Sequence, residues 1–175
     1  MRRQHCGTFN KPFGAPHMST TFQLVGLPQG HFEPLFALSD EALLTLHGAV
    51  RVRADESPGF PCRISLQDAA VGEELLLLPY DHQRGASPYR ASGPIFVRRG
   101  AHPARLGVGD VPRYVTGRLI SVRAYNAAHW MIDAAVCEGP DVAPQIEGFF
   151  ANDAVAYIHL HNARRGCFSC EVQRA

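Results

Sequence analysis

The sequence has almost no lysine and lacks any long apolar run. Lys11 is the only lysine, against sixteen arginines, and the formal net charge is +1 at pH 7. A charge this close to zero creates no strong field to attract nucleic acid or an anionic membrane. The apolar run Leu75 to Leu78 is far shorter than the roughly 18 residues that a membrane-spanning helix needs. With no Cys/His finger and no aromatic RNA-binding motif present, we expect no nucleic acid and no membrane among the partners.

The amino-terminal residues lack the apolar centre of a secretory signal. Residues 1–6 are basic in part, but Gly7, Asn10 and Pro12 follow where such a centre would lie. The chain has five cysteines, an odd number, which without export is typical of reduced thiols rather than a disulfide framework. We therefore predict a cytoplasmic protein, and no motif indicates a cofactor.

The first 21 residues and the rest of the chain differ in pattern. Residues 1–21 are rich in glycine and proline and show neither helical nor strand periodicity, so we predict a disordered or artefactual extension. Translation beginning at Met18 is an alternative. Of the 175 residues, 46% are hydrophobic and 19% are charged, which is ordinary for a globular protein. Residues 22–175 are predicted to form a single domain.

Short apolar runs predict many strands and few helices. Ser39 is a predicted N-cap with Gly48 as the C-terminal stop, and a second helix is predicted over residues 141–150. Strands are predicted at residues 22–27, 50–53, 62–66, 74–78, 94–98, 119–125 and 130–136, with a final hairpin of 155–161 and 167–172. Because consecutive strands often follow one another without a helix, we expect an α+β fold. It would be a mostly antiparallel sheet with two or three packed helices.

Two predicted loops combine a restricted backbone with polar side chains. Residues 55–63 contain Pro58, Gly59 and Pro61, and residues 79–94 follow the strand predicted to be most buried. Rigid loops are common places for binding groups. The polar side chains that these loops present are Asp55, Glu56, Arg63, Tyr80, His82 and Arg90.

The final hairpin holds the most reactive side chains. His159 and His161 are two positions apart, so on a strand both imidazoles leave the same face. A Cys/His-dependent enzyme would use Cys62 or Cys167 as its thiol and one of these histidines as its base, with Asn162 to orient the base. Arg164, in the turn, is a further candidate for ligand binding.

A zinc site built from the same hairpin is not favoured by its spacing. His159, His161, Cys167 and Cys170 are ligand types that zinc prefers. The turn between the two pairs is short, however, and on a strand Cys167 and Cys170 would point to opposite faces. A redox Cys-x-x-Cys pair is disfavoured because such pairs begin a helix. We therefore predict no metal site.

Five stretches of the sequence, taken together, carry a family resemblance. They are residues 22–27 (FQLVGL), 55–63 (DESPGFPCR), 72–80 (GEELLLLPY), 92–97 (SGPIFV) and 159–167 (HLHNARRGC). Over residues 22–175 the chain resembles the bacterial family catalogued as domain of unknown function 1203. The resemblance implies a compact, stand-alone domain and no known activity. It includes Cys167 but not Cys170, which further weakens the zinc and redox hypotheses.

These observations lead to one main hypothesis and two alternatives. We expect a polar or anionic small molecule to bind in a pocket lined by the two loops and the terminal hairpin. The first alternative is a Cys/His-dependent hydrolase or transferase, and the second is a non-catalytic protein-interaction module. The sequence leaves the ligand and the oligomeric state open.

Overall fold

Two five-stranded sheets form the fold in the computed structural model, which describes residues 19–175. The strands and α-helices alternate irregularly along this part of the chain. In order, they are β1 (Phe22–Val25), α1 (Asp40–His47), β2 (Val50–Arg53), β3 (Pro61–Cys62), β4 (Gln67–Asp68), β5 (Glu74–Gln83), β6 (Ala91–Arg98), α2 (Arg113–Thr116), β7 (Leu119–Tyr125), β8 (Met131–Glu138), α3 (Val142–Phe150), β9 (Tyr157–Asn162) and β10 (Phe168–Arg174). Short 3-10 helices lie at Gln29–His31, Glu33–Ala37 and Gly139–Asp141.

The sheets are mostly antiparallel. The first sheet has the order β1-β10-β9-β7-β8, and all its neighbouring strands are antiparallel. The second has the order β2-β5-β6-β3-β4, in which only the short pairing of β3 with β6 is parallel. Helix α3 packs on β7 and β8, and α1 packs on β2. The predicted α+β class is confirmed, with the strands divided between two sheets.

The first α-helix begins and ends where the sequence indicates. The Ser39 hydroxyl accepts a hydrogen bond from the backbone N–H of Ala42 at 3.2 Å, which satisfies a donor of the first turn. Gly48 ends the helix with a φ of 58°, a left-handed conformation that glycine adopts without steric cost. The buried residue of the helix is Leu43, which joins the core of the second sheet.

The strand predicted at residues 62–66 is wrong. β3 ends at Cys62, and a tight turn leads to β4, closed by a 3.1 Å hydrogen bond from the Leu66 N–H to the Cys62 carbonyl. The alternation of buried and exposed side chains expected for a strand over residues 62–66 is therefore absent. The turn lies between the two sheets, so Arg63 is buried together with Ile64 instead of facing solvent.

The loop predicted after residue 78 is also wrong, because β5 continues to Gln83. Pro79 lies opposite Pro94 in the pairing of β5 with β6. Neither proline can donate a hydrogen bond, and an antiparallel ladder tolerates this at a non-hydrogen-bonded pair. On its other side β5 pairs with β2 only as far as Leu77, so Pro79 interrupts no ladder there. Tyr80 and His82 consequently lie on a strand, not in a loop.

Each sheet contributes a side chain to the hydrophobic core of the other. Leu66, from the β3–β4 turn of the second sheet, packs in the hydrophobic cluster of the first sheet and α3. Phe168, from β10 of the first sheet, packs in the cluster of the second sheet and α1. The segment around Arg63 and the start of β10 are therefore held against each other.

The predicted boundary at residue 21 falls close to the start of the described chain. Residues 1–18, which include most of the predicted extension and the alternative start at Met18, lie outside the described residues. Thr21 is attached to the other terminus, since its hydroxyl donates to the Ala175 carbonyl at 2.7 Å. Among residues 19–175, no helix is both long enough and apolar enough to cross a membrane.

Candidate functional site

A cavity of about 1220 Å³ opens where the β3–β4 turn, α2 and the β9–β10 turn meet. Its wall combines segments that are distant in the sequence. Five of the side chains predicted for the site line it: Glu56, Arg63, Asn162, Arg164 and Cys167. The first loop and the terminal hairpin therefore contribute to one concavity.

Arg63 forms the floor of this cavity and is only 1% exposed. Its Nε donates to the Phe168 carbonyl at 2.8 Å, and its Nη1 donates to the Pro61 carbonyl. Its Nη2 donates to the Cys167 Sγ at 3.1 Å. No ion pair with a carboxylate involves Arg63 within residues 19–175. A buried charge without a counter-ion is unfavourable, so this position favours an anion nearby.

The Cys167 sulfur receives a second donor. Asn162 donates from Nδ2 to Sγ at 3.3 Å, beside the contact from Arg63. The Oδ1 of Asn162 is buried and has no hydrogen-bond partner among the described residues. The cavity wall thus contains a sulfur that accepts two hydrogen bonds and, beside it, a buried acceptor without a partner among the described residues.

The charge of the cavity wall is predominantly positive. The wall contains five arginines, namely Arg63, Arg113, Arg118, Arg164 and Arg165, against the three carboxylates Glu56, Asp68 and Glu138. Arg118 and Asp68 neutralise each other through an ion pair of 2.5 Å, so the unpaired excess is positive. Burial raises the pKa of Tyr114, another wall residue, to about 12, which keeps its hydroxyl neutral.

A second group of predicted site residues packs around the ring of Phe168. His82, from β5, lies with its ring centroid 4.8 Å from that of His161 and 5.9 Å from that of His159. The Phe168 ring stacks on His82 with centroids 5.3 Å apart. Tyr80 packs 6.0 Å from Phe168. The three imidazoles, which belong to different sheets, form a cluster that we call the histidine cluster (His82, His159 and His161).

Within residues 19–175, the histidine cluster is the group of side chains that could hold a metal ion. One ligand nitrogen from each of its three side chains lies within 4.8 Å of those of the other two. Burial lowers the pKa of His82 to about 4 and that of His161 to about 3, so both rings are neutral at pH 7. Neutral imidazole is the form that binds metals.

Three predicted site residues lie outside both groups. Cys62 is fully buried in the core of the second sheet, and its sulfur accepts from the Arg98 N–H at 3.4 Å, so the structure does not support a reactive thiol there. Asp55 and Arg90 are exposed and do not line the cavity. No imidazole hydrogen-bonds to Cys167 in the part of the chain that the structure describes, so the Cys/His pairing is not formed.

Sequence reasoning missed the contribution of α2. Arg113, Tyr114 and Arg118 line the cavity, yet their segment shows no motif and its helix is only four residues long. The available signal was a short stretch with two arginines and a tyrosine that follows Gly107 and Gly109. On the edge strand β8 the structure also exposes Ile132 and Val136, next to Trp130, the kind of apolar surface that the interaction-module hypothesis predicts.

Comparison with known proteins gives a family and no activity. No curated protein matches the chain, and no solved structure matches it. One family model matches residues 59–174, which is more than half of the chain and includes Arg63, Cys167 and the whole histidine cluster. The stretch at residues 22–27, which was part of the expected resemblance, lies before the matched region. The chain belongs to the family described as "Protein of unknown function (DUF1203)".

Proposed function

We propose that the protein binds a small polar anion in the cavity between the β3–β4 turn, α2 and the β9–β10 turn. The observation that carries this proposal is Arg63, a guanidinium that is 1% exposed and has no carboxylate partner within residues 19–175. An anion in the cavity would offset the buried positive charge. The exposed Arg164 and Arg165 at the rim would hold its outer part.

The ligand should carry a hydrogen-bond donor in addition to its negative charge. The Oδ1 of Asn162 is a buried acceptor without a partner among the described residues, and it lies beside the sulfur that Arg63 contacts. A ligand hydroxyl would satisfy this oxygen, whereas a ligand without one would leave it unpaired. Small hydroxy acids and phosphate esters combine both features.

Thermal-shift titration tests this proposal with three probes: malate, succinate and inorganic phosphate. Malate and succinate have the same two carboxylates, and only malate has a hydroxyl. We expect malate to raise the melting temperature saturably and to bind several-fold more tightly than succinate. The double variant Arg164→Gln/Arg165→Gln removes two rim charges without touching the core, so it should weaken malate and phosphate binding about tenfold.

The matched control is Arg105→Gln, because Arg105 is exposed and does not line the cavity. It should leave the binding of all three probes unchanged. If none of the probes shifts the melting temperature, or if the rim and control variants behave alike, the cavity is not an anion site.

The contacts of Cys167 favour a second candidate function, a thiol-dependent transferase or hydrolase. The Cys167 sulfur accepts from Arg63 and Asn162 and is only partly buried, as a nucleophilic thiolate in a substrate cavity requires. No histidine hydrogen-bonds to this sulfur in the described region. A Cys167 thiolate would therefore be stabilised by the positive charge of Arg63, and not formed by transfer of its proton to a neighbouring imidazole.

Alkylation kinetics test this second candidate. Iodoacetamide at pH 7 should label Cys167 faster than it alkylates free glutathione, and Asn162→Ala should slow the labelling. Labelling at the rate of glutathione, or labelling unaffected by the loss of Asn162, would remove the candidate while leaving anion binding intact.

A further inference from the structure

Three imidazoles from two separate sheets converge on one point. His159 and His161 project from the same face of β9 in the first sheet, and His82 reaches them from β5 in the second. One ligand nitrogen per ring lies within 4.8 Å of its counterparts. The centre of an equilateral triangle of that size is about 2.8 Å from each corner, so modest ring rotation brings all three to the 2.0–2.1 Å or so of a zinc–imidazole bond.

Each ring has one buried nitrogen without a hydrogen-bond partner among the described residues. These atoms are Nδ1 of His82, Nδ1 of His159 and Nε2 of His161. His159 is 2% exposed and His161 is 0% exposed, so water does not readily satisfy their free nitrogens. Buried polar atoms are normally paired, and three unpaired ones in a single cluster point to a shared partner that accepts lone pairs.

The other nitrogens of His161 and His159 face a carbonyl and a carboxylate, and the carbonyl fixes the tautomer of His161. The Nδ1 of His161 lies 3.0 Å from the Gly166 carbonyl, which can only accept, so Nδ1 carries the proton and Nε2 has a free lone pair. The Nε2 of His159 faces the Glu171 carboxylate at 3.7 Å, and the Nδ1 of the same ring has no partner among the described residues. Metal-binding histidines typically have such a carbonyl or carboxylate behind them.

We propose that His82, His159 and His161 bind one divalent transition-metal ion of the Zn²⁺ type, with Nδ1, Nδ1 and Nε2 as the respective ligands. Three imidazoles suit Zn²⁺, Co²⁺, Ni²⁺ or Cu²⁺, whereas Mg²⁺ and Ca²⁺ prefer oxygen ligands. No fourth histidine, cysteine or carboxylate joins the cluster within residues 19–175. Three protein ligands with a fourth position left to water or an anion is the pattern of reactive zinc sites.

Charged side chains of both signs lie near the cluster. Arg123 lies near His82 and His161, and its positive charge opposes a bound cation. Asp81 acts on His82 in the opposite sense, and Glu171 lies behind His159. An anion at the fourth position would be attracted by Arg123 as well as by the metal. The site is separate from the anion cavity, because none of the three histidines lines that cavity.

Cobalt titration tests the metal site. Full-length protein without a histidine tag is stripped with a chelator, desalted and titrated with CoCl₂, followed by visible absorption. We expect one equivalent to bind with the intense bands of four- or five-coordinate Co²⁺, and one equivalent of Zn²⁺ to displace it. His82→Gln and His159→Gln should each weaken Co²⁺ binding more than about 100-fold.

The control variants separate this site from other histidines and from the anion cavity. His102→Gln alters an exposed histidine outside the cluster and should leave the Co²⁺ spectrum and affinity unchanged. Arg164→Gln/Arg165→Gln should also leave them unchanged, even though it weakens malate binding. His82 is only half-buried, so His82→Gln should fold, as its circular dichroism would show. Absence of one-to-one binding, or equal affinity of His82→Gln and His102→Gln, would overturn the proposal.

Discussion

The Nη2 of Arg63 lies 3.1 Å from the Sγ of Cys167, a contact between residues 104 positions apart in the chain. It joins the β3–β4 turn of one sheet to the β9–β10 turn of the other. The same guanidinium donates to the carbonyl of Phe168, the next residue along. The two turns are therefore fixed relative to each other by one buried cation, which also forms the floor of the cavity.

The contact between Arg63 and Cys167 predicts how two substitutions at Cys167 rank in their effect on the free energy of unfolding. Cys167→Ala leaves a buried guanidinium donor without its acceptor and should lower the free energy of unfolding by about 1–3 kcal/mol. Cys167→Ser keeps an acceptor at the same place and should cost less. Urea denaturation measures both. Cys137→Ala, at a half-buried cysteine on β8, is the matched control and should have the smallest effect of the three. Equal losses for Cys167→Ala and Cys137→Ala would mean that the Arg63 contact contributes nothing.

The buried thiols should be protected from reagents that reach Cys167. Burial raises the pKa of Cys170 to about 12, so it is a thiol at every physiological pH. Cys62 is 0% exposed in the core of the second sheet. We expect a disulfide reagent such as DTNB to leave both unmodified in the native protein for hours and to modify both at once in urea. Site-resolved mass spectrometry is the measurement, and native labelling of Cys170 at the rate of Cys167 would contradict the buried position.

Sequence patterns predicted secondary structure correctly where that structure depends on residues close together in the chain. Ser39 and Gly48 bound α1 because capping depends only on backbone groups within a few residues. The His-x-His spacing correctly indicated that His159 and His161 leave one face of a strand, because the side-chain period of two is a property of the strand itself.

Contacts between the sheets could not be predicted in this way. Arg63 was expected among the polar side chains of a rigid loop, but a turn between the two sheets buries it. The sequence predicts a loop at His82 because a proline such as Pro79 usually ends a strand. Strand β5 continues past Pro79 because its neighbour β2 pairs with it only as far as Leu77, so the proline interrupts no hydrogen bonds on that side. The sequence offered Cys167 and Cys170 as ligand types beside the histidines, but their spacing disfavoured a metal site. In the structure Cys170 lies in the core and His82 takes that place.

A close approach of two backbones makes Gly26 sensitive to substitution. A Cβ at this position would lie 2.1 Å from the Ile64 carbonyl oxygen, which belongs to the turn that carries Arg63. Gly26→Ala must displace that turn and should lower the free energy of unfolding by about 1–3 kcal/mol. It should also weaken malate binding, because Arg63 moves with the turn.

Gly148→Ala is the control for this prediction. Gly148 lies in α3, and a Cβ there would meet nothing within 4 Å. Alanine favours a helix over glycine by about 1 kcal/mol, so this variant should be slightly more stable than the native chain. Urea midpoints of the two variants should thus move in opposite directions, and a shift in the same direction would show that the approach to Ile64 is not tight.

Glu74 should make the stability of the second sheet depend on pH. Its carboxylate accepts from Arg99 at 2.9 Å and from Arg51 at 2.7 Å, and these guanidinium groups lower its pKa below the ordinary 4.5. A carboxyl group whose pKa is lower in the folded state than in the unfolded state stabilises the fold above the unfolded value. That contribution is lost as the pH falls through the folded value.

Glu74→Gln removes this contribution, and because the side chain is 21% exposed we expect a loss of about 1 kcal/mol at pH 7. The difference in unfolding free energy between Glu74→Gln and the native chain should stay constant down to about pH 5 and then shrink as the pH falls below 4.5. Urea denaturation at a series of pH values measures it. Glu147→Gln, at an exposed position of α3, is the control for the substitution itself. A difference between Glu74→Gln and the native chain that grows in acid would contradict a lowered pKa at Glu74.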